Sequence, residues 1–331
     1  MRNSRVPGPG STAAPLVALL VDGMVGEPPA SAHPVVWIGR LAGALESCAP
    51  ASDRARLVYG TLLTVTVVGV AGLFGALAAR VAGRLPFPLG LLLEGWLLKT
   101  TLSARALIEA GKTVESHLDD HDLSGAREAV RWLVSRDTSA LDESQLASAT
   151  IESLAENTAD SIVGPLLAYS VGGLPWAFAY RAANTLDAMI GYRGEYEHLG
   201  KVAARLDDLF NVVPARLSSA LLVLGGAVAG GDLANGVAIT LRDHTLTASP
   251  NAGWPMSTMA GLLGTRLEKV GHYRLGGELP RADVPAIDQA AEVVKAATVL
   301  SVPVVLGIGW LARRVVGRRC PRGRSSAAPG V

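Results

Sequence analysis

The sequence contains few charged residues: Asp, Glu, Lys and Arg make up only 18% of its 331 residues. Soluble domains usually carry about a quarter. Aromatic residues, at 5%, do not fill the deficit, whereas hydrophobic residues reach 49% and there are 37 glycines. This composition argues against an ordinary soluble domain and is typical of a polytopic helical membrane protein.

Cysteine is scarce, and neither sign of charge dominates. Cys48 and Cys320 are far apart, so the sequence supports neither a disulfide framework nor a cysteine-based metal site. The net charge is +1, and no run of Lys or Arg occurs before the C-terminus, which gives no reason to expect nucleic acid as a partner. The apolar segment 12–23 is short and contains Asp22, so we do not interpret it as a removed signal peptide.

Long uninterrupted apolar segments are also few. Four segments are apolar enough to enter a bilayer, at 57–83, 160–180, 216–231 and 296–316, and shorter ones lie at 14–26 and 86–98. Only the first is a clean span of roughly 20 residues or more. Glycines and prolines interrupt 160–180. Broken helices at membrane depth usually line a cavity that is enclosed by protein or filled with water.

We therefore predict an all-α, polytopic helical integral membrane protein with amphipathic and broken helices. A single membrane domain is expected at 14–316, after an N-terminal extension at 1–13 and before a basic, disordered tail at 317–331. Within the domain we expect a polar insertion at about 99–159 and polar loops at 181–215 and 232–295. In the insertion, Asp142 and Gln145 have the spacing of a capping box that begins a helix. The arginine-rich C-terminus predicts that this end lies in the cytoplasm.

Three acidic residues, Glu152, Glu156 and Asp160, are spaced four apart where the polar insertion meets the broken apolar segment. On a helix they form one patch, because side chains four apart lie on the same face. Like charges at this spacing are unfavourable, and Mg²⁺ would relieve the repulsion because it prefers carboxylate and phosphate oxygens. A solvated helix face explains the spacing equally well, so both interpretations stay open.

Two further clusters combine arginine, asparagine and aspartate. The first contains Arg181, Asn184, Asp187 and Arg193, in which Asn184 and Asp187 are three apart and can share a ligand. Its alternative is helix capping with an Arg–Asp pair.

The second cluster, "ARLDDLFNVVPARL", resembles the aspartate-rich, diphosphate-binding motif of prenyltransferases at Asp207, Asp208 and Asn211. Acidic residues in such a motif hold Mg²⁺, which in turn holds phosphate. The alternative is an ordinary helix end, stopped by Pro214.

Two other stretches combine polar residues with apolar surroundings. In "LLVDGMVGEPPASAHPVVWIG", Asp22, Glu27 and His33 interrupt an apolar region, which marks them as functional candidates, although a surface loop explains them nearly as well. Residues 249–264, "SPNAGWPMSTMAGLLG", have the composition of a binding loop with a hydrophobic wall, or of an ordinary turn.

Taken in order, these stretches resemble the adenosylcobinamide-phosphate synthase (CobD/CbiB) family of cobalamin-biosynthesis membrane enzymes. The resemblance runs from residue 22 to about 275 and includes "SRDTSALD" at 135–142. It implies an ATP- and Mg²⁺-dependent amide ligation. A propionate of adenosylcobyric acid is joined to (R)-1-amino-2-propanol or its phosphate, giving adenosylcobinamide or its phosphate. A carboxylate is a poor electrophile, so an acyl phosphate is the expected intermediate.

The resemblance also implies roles for individual residues. Metal ligands are expected at Glu152, Glu156, Asp160, Asp207 and Asp208, with Glu156 also a catalytic candidate. Substrate or phosphate contacts are expected at Arg136, Arg181, Asn184, Arg193 and Arg205, and corrinoid contacts at Asn251, Trp254 and Met256. Asp187 or His33 is the expected base that deprotonates the amine.

Two other functions remain as alternatives: a transporter with an acidic site at the membrane midplane, suggested by the broken helices, and a membrane prenyltransferase, suggested by Asp207 to Asn211. The expected partners are the corrinoid, aminopropanol or its phosphate, membrane lipid and other cobalamin-pathway enzymes. The expected location is the cytoplasmic membrane.

Overall fold

The computed structural model describes residues 11–319, which are almost entirely helical. The helices are α1 (Ala14–Val25), α2 (Pro34–Glu46), α3 (Asp53–Ala82), α4 (Phe87–Lys99), α5 (Ala104–Asp119), α6 (Leu123–Val130), α7 (Glu143–Thr158), α8 (Gly164–Ile190), α9 (Lys201–Ala229), α10 (Leu233–Asp243), α11 (Gly253–Leu263) and α12 (Pro285–Arg319). A π-helical turn, Ala159–Val163, joins α7 to α8, and strands β1 (Leu267–Lys269) and β2 (Tyr273–Leu275) form an antiparallel hairpin. The predicted all-α class is confirmed.

Four helical segments are long and apolar enough to cross a bilayer: Asp53–Ala82, Glu143–Ile190, Lys201–Ala229 and Pro285–Ala312. They correspond to the four apolar segments identified in the sequence. Helix α3 is 30 residues long, which at 1.5 Å per residue exceeds a hydrocarbon core of about 30 Å. It exposes large apolar side chains, among them Leu62 and Val65. The chain is therefore a multi-pass membrane protein, as predicted.

The segment Glu143–Ile190 forms the centre of the bundle. Within its most apolar stretch 67% of the residues are buried, against 28% in α3. Helix α8 packs against α3, α9 and α12. The side chains of Ile151, Leu154 and Ile162 are fully buried. The acidic residues of this segment are therefore held in the middle of the protein by apolar packing on their flanks.

Helix α8 is broken near its middle, as the glycines and prolines of this segment predicted. Gly173 has a φ of 69°, which favours glycine, and Pro175 follows two residues later. Helix α3 approaches the backbone at this break: a Cβ atom at Gly75 would lie 2.6 Å from the carbonyl oxygen of Leu174. Glycine at position 75 thus allows the two helices to pack in contact.

The predicted loops at 181–215 and 232–295 are mostly helical, so this prediction needs correction. Helix α8 continues to Ile190 and α9 begins at Lys201. Pro214 lies inside α9 and does not end it. The second region contains α10, α11, the hairpin and the start of α12. Polar residues suggested loops here, but several polar residues of 181–215 line a cavity within the protein, and those of the second region lie largely on helices and the hairpin.

The polar insertion contains α5, α6 and α7. Asp142 Oδ1 accepts a hydrogen bond from the Gln145 N–H, and Gln145 Oε1 accepts one from the Asp142 N–H, both at 2.9 Å. This is the predicted capping box. Leu107, Val114 and Leu118 of α5 are buried, and α5 packs on α7 and α12. The predicted tail lies outside the described residues from position 320 onward.

One buried carboxylate fastens the end of the hairpin to α10. Asp243, 4% exposed, accepts hydrogen bonds from the Gly276 N–H at 2.7 Å and from Arg242 Nε and Nη2 at 2.6 and 2.8 Å. Hydrogen bonds from Arg242 lower the pKa of Asp243 below its ordinary value of 3.8, against the opposing effect of burial. The ionised carboxylate therefore stabilises the position of the hairpin.

We expect Asp243→Asn to reduce the free energy of unfolding by about 1–3 kcal/mol at neutral pH, because a buried charged hydrogen bond is lost. Since the folded pKa is lower than the unfolded one, this stabilisation is full above pH 3.8 and disappears as the pH falls through the folded value. Melting temperatures of both proteins in detergent across this range measure the effect. Glu278→Gln, which removes the exposed second partner of Arg242, should change stability much less. A difference between Asp243→Asn and the parent protein that persists at the lowest pH would contradict the assignment.

Candidate active site

A cavity of about 460 Å³ opens where the π-helical turn, the end of α8, the start of α9 and the loop 248–252 meet. This volume falls within the usual range for small-molecule sites. The acidic and basic side chains that line it are Glu156, Asp160, Asp187, Arg193, Glu197, Lys201, Arg205, Asp207 and Asp208. We call this space the acid cavity. It brings together residues of the three clusters that the sequence singled out.

Four helical segments supply carboxylates to the acid cavity: α7, the π-helical turn, α8 and α9. Glu156 ends α7, Asp160 lies in the π-helical turn, and Asp187 is near the end of α8. π-Turns inside helices are frequent at functional sites. Within the described residues, Glu156, Asp160 and Asp187 have no hydrogen-bond donor, and Asp207 Oδ1 is buried without one. A buried carboxylate oxygen that lacks a donor is unfavourable unless a cation or proton accompanies it, and Asp207 Oδ1 is such an oxygen in this cavity.

A chain of hydrogen bonds holds the Asp207 side chain in position through its Oδ2 atom. The Tyr180 hydroxyl donates to Asn211 Oδ1, and Asn211 Nδ2 donates to Asp207 Oδ2 at 3.0 Å. All three side chains are nearly or fully buried. Because Asp207 Oδ2 is engaged, its unpartnered Oδ1 is the oxygen left for a ligand. Tyr180 was not identified from the sequence, although it directly precedes Arg181 in one of the clusters.

Gly164 provides the space for the Tyr180 hydroxyl, because an ideal Cβ atom at position 164 would collide with it. We expect the added methyl group of Gly164→Ala to displace the Tyr180 hydroxyl, so that the hydrogen-bonded chain no longer holds Asp207 in position. The catalytic rate should then fall by about tenfold or more, as it does when reacting groups are slightly misplaced. Rate and melting temperature should be measured together. Gly69→Ala is the control, since no atom lies within 4 Å of its Cβ position. Unchanged activity in folded Gly164→Ala would show that Tyr180 does not position Asp207.

Three cations line the acid cavity, and none of them forms an ion pair within the described part of the chain: Arg193, Lys201 and Arg205. Lys201 and Arg205 are four residues apart on α9 and therefore share a face with Asp208. Unpaired cations beside carboxylates indicate a ligand that carries negative charge, such as phosphate. Lys201 was not predicted as a site residue. It follows Gly200 and begins α9, in a region that was predicted to be a loop.

Arg181 and Asn184 lie behind the cavity and do not line it. Arg181 Nη1 donates to Asn184 Oδ1 at 3.1 Å and to Ser161 Oγ at 3.3 Å. Asn184 also lies within hydrogen-bonding reach of Asp207. The two residues therefore support the carboxylates. Direct phosphate binding by either one stays a prediction.

Glu152 does not line the acid cavity, unlike the other two acids of the predicted patch. Its Oε1 accepts from Ser148 Oγ at 2.9 Å, and its Oε2 accepts from the Tyr273 hydroxyl at 2.9 Å and from Arg136 Nη2 at 3.4 Å. Glu152 is only 5% exposed, so the alternative of a solvated helix face is wrong. Metal binding by Glu152 stays a prediction.

The N-terminal motif forms a cluster of its own around a lysine that the sequence analysis missed. Lys99 Nζ is fully buried, 2.6 Å from Glu27 Oε2 and 3.4 Å from Asp22 Oδ1. Burial raises the pKa of Asp22. Burial also disfavours the charged form of Glu27, but hydrogen bonds from His33 and Lys99 outweigh it and lower the pKa of Glu27. A lysine at the end of an apolar helix was the available signal.

His33 belongs to this cluster and does not line the acid cavity. Its Nδ1 accepts from the Val35 N–H at 3.2 Å, so its Nε2 carries the hydrogen that is donated to Glu27 Oε2 at 3.1 Å. Both ring nitrogens are occupied. Of the two residues predicted as the base, Asp187 is therefore the one that faces the cavity.

The loop 248–252 contributes Asn251 to the acid cavity. Asn251 Nδ2 donates to the Asp208 carbonyl oxygen at 2.7 Å, and its Oδ1 accepts from Arg216 Nη1 at 3.2 Å. Trp254 packs between Arg216 and His244 and does not line the cavity. Met256 is 1% exposed and belongs to the core. Corrinoid contacts by these residues stay predictions.

Among the described residues, no three His, Cys, Asp or Glu side chains are placed to hold a metal ion together. Mg²⁺ does not require such a cage, since it usually keeps several waters and binds one or two carboxylates plus substrate phosphates. The unpartnered Asp207 Oδ1 and the donor-free Glu156 and Asp160 fit that mode of binding.

Comparison with known proteins now identifies the family. The profile of the CobD/Cbib protein family matches residues 15–301. The chain belongs to the CobD/Cbib family. A probable cobalamin biosynthesis protein CobD from Methanocaldococcus jannaschii is 39% identical over 300 residues, which are 89% of this chain and 97% of that protein. The cobalamin biosynthesis protein CobD from Klebsiella pneumoniae is 41% identical over 256 residues, 76% and 80% of the two chains.

The CobD/Cbib match confirms the resemblance read from the sequence motifs. It includes every residue that lines the acid cavity and the N-terminal cluster around Lys99. No solved structure matches the chain.

Proposed function

We propose that this CobD/Cbib protein is an amide-forming ligase. Its substrates would be adenosylcobyric acid, ATP and (R)-1-amino-2-propanol or its phosphate, and its product adenosylcobinamide or its phosphate. The family assigns the chain to cobalamin biosynthesis. The observation that best supports the reaction is the acid cavity, in which donor-free carboxylates and unpaired cations face one space.

The reaction requires activation of a carboxylate, which is otherwise a poor electrophile. An oxygen of the substrate propionate attacks the terminal phosphorus of ATP, the P–O bond to the β-phosphate breaks, and ADP leaves with the electron pair. The amine then attacks the acyl carbon, the C–O bond to phosphate breaks, and inorganic phosphate leaves. One amide, ADP, phosphate and one proton are formed for each ATP.

The side chains of the acid cavity can perform the separate tasks of this reaction. Arg193 and Arg205 suit phosphate groups through their forked donors. Asp187 lines the cavity and is the candidate base that accepts the proton of the amine. Lys201 adds a further positive charge beside Arg205. This arrangement binds and orients charged groups, which is most of what phosphoryl transfer demands of a protein.

Glu156, Asp160, Asp207 and Asp208 would hold Mg²⁺ here, together with water and substrate phosphate. When bound, Mg²⁺ supplies neutralisation of charge on the phosphoryl group. Tyr180 and Asn211 hold Asp207 ready for this contact. The protein's own contribution is therefore the fixed position of its carboxylates.

The shape of the site is compatible with a large substrate bound at its edge. A cavity of about 460 Å³ is too small to enclose a corrin ring, so only the propionate arm would enter. We propose that the ring lies across the opening near Asn251, which borders the cavity. A flat, amphipathic substrate suits a site at a membrane surface, and we propose the cytoplasmic membrane with a cytoplasmic C-terminus. A complex with other cobalamin-pathway enzymes would deliver such a substrate.

The ligase is favoured over the two alternative functions. A transporter does not require unpaired arginines beside donor-free carboxylates. The prenyltransferase alternative needs a second aspartate-rich motif, whereas Glu156 and Asp160 belong to a helix end and a π-turn. Membership of the CobD/Cbib family supports neither alternative.

The direct test is to incubate the purified protein with adenosylcobyric acid, MgATP and, in separate reactions, aminopropanol or aminopropanol phosphate, and to search for the amide by mass spectrometry. The expected result is the amide together with ADP in equal amount. Folded protein that forms no amide with either amine would overturn the proposed function. Amide formation without ADP would overturn the ATP-dependent mechanism.

A further inference from the structure

A second polar pocket, of about 150 Å³, shares Glu156 with the acid cavity. Arg136, Glu152 and Glu156 line it together with Lys269 and Tyr273 of the hairpin. We call it the hairpin pocket. Glu156 also lines the acid cavity, so one carboxylate borders both spaces. No motif in the sequence analysis included Lys269 or Tyr273.

The hairpin pocket adjoins an open groove of about 720 Å³, with which it shares Val134, Ser135 and Arg136. The groove is bordered by α6 and the loop that follows it. A ligand can therefore place a bulky part in the groove and a narrow, charged part in the hairpin pocket, with its end beside Glu156.

The cations of the hairpin pocket have unused hydrogen-bonding capacity. Arg136 makes a single long contact with Glu152, and its Nε is buried without an acceptor. Lys269 has no acceptor within the described part of the chain. Neutral donors, Ser148 and Tyr273, already satisfy the two oxygens of Glu152. An anion entering the pocket would complete the bonding of both cations.

The hairpin holds Lys269 and Tyr273 in place through contacts outside the pocket. The Glu268 N–H donates to Ser148 Oγ on α7 at 2.8 Å, and Asp243 fastens the other end of the hairpin at Gly276. The pocket is thus part of the rigid structure and combines α7, the loop 131–142 and the hairpin.

We infer that the hairpin pocket binds the polyphosphate of a nucleoside triphosphate, while its nucleoside lies in the adjoining groove. The terminal phosphoryl group then faces Glu156, and the carboxylate and amine substrates occupy the acid cavity. This inference rests on the proposed function and adds to it that the nucleotide and its acceptor occupy two separate spaces that meet at Glu156. Arg136 and Lys269 bind the nucleotide, and Arg193 and Arg205 bind the other substrates.

The test uses the purified full-length protein in detergent and titration calorimetry with MgATP and, separately, with inorganic tripolyphosphate. Lys269→Gln is expected to weaken the binding of MgATP and of tripolyphosphate by about tenfold or more, as the loss of a charged hydrogen bond does. Arg274→Gln is the matched control, because Arg274 lies on the same hairpin, outside the pocket, and pairs with Glu268. It should bind both ligands like the parent protein.

Steady-state kinetics separates this inference from the proposed function. Lys269→Gln should raise the KM for ATP and leave the KM for aminopropanol phosphate unchanged. If Lys269→Gln binds both probes normally, or if only the KM for the amine rises, the inference is wrong even where the amide is formed. Lys269-dependent binding of tripolyphosphate by a protein that forms no amide would support the pocket and overturn the proposed ligase.

Discussion

Replacing Asp207 with asparagine is expected to lower the rate of amide formation by about 100-fold or more. Asp207 Oδ2 is held by Asn211, and its buried Oδ1 has no donor in the described structure. An amide at this position carries no charge, so it cannot balance a cation. The Mg²⁺ concentration that gives half-maximal rate should therefore rise as well, which a purely structural defect would not cause.

The measurement is the rate of product formation across a Mg²⁺ titration, with the melting temperature recorded for each protein. Glu195→Gln is a suitable control, since Glu195 is an exposed acid close in sequence to the cavity residues that does not line the cavity. It should behave like the parent protein. An Asp207→Asn protein that keeps both its rate and its Mg²⁺ dependence would remove Asp207 from the site.

Much of the fold follows from local patterns in the sequence. The apolar segments predicted the spans, the Asp142 and Gln145 pair predicted the start of α7, and the glycines and prolines predicted the break in α8. Each of these depends on neighbouring residues along the chain. The loops predicted at 181–215 and 232–295 failed for the opposite reason. Their polar residues indicated solvent-exposed loops, whereas several charged residues of the first region and the segment 248–252 of the second line the acid cavity, which helices distant in sequence form.

The candidate site was predictable as a set of motifs but not as an arrangement. The spacing of Glu152, Glu156 and Asp160 placed them on one helical face, but it could not show that Glu152 bonds to a hairpin more than a hundred residues away. The same limit applied to Lys269 and Tyr180, which no local pattern marks. Residues whose role depends on a partner elsewhere in the chain need the three-dimensional structure.

Replacing Arg205 with glutamine should distinguish the phosphorylated amine from the free one. Arg205 lines the acid cavity without an ion-pair partner in the described structure and lies within electrostatic reach of Asp208. If it binds the phosphate of the amine substrate, kcat/KM for aminopropanol phosphate should fall by about 10- to 100-fold. The value for free aminopropanol should stay unchanged. Arg205→Lys should be intermediate, because lysine keeps the charge but loses the forked geometry.

Each amine is tested with the parent protein and with Arg205→Gln. The comparison removes the phosphate from the substrate in one direction and the Arg205 guanidinium from the protein in the other. Arg54→Gln is the control, since Arg54 is exposed and does not line the cavity. An equal loss with both amines would mean that Arg205 acts on a group they share or on the activated carboxylate. A loss confined to aminopropanol phosphate would assign the amine phosphate to the cations of α9. The hairpin pocket would then remain for the nucleotide, because two phosphate-bearing substrates cannot occupy one set of arginines at the same time.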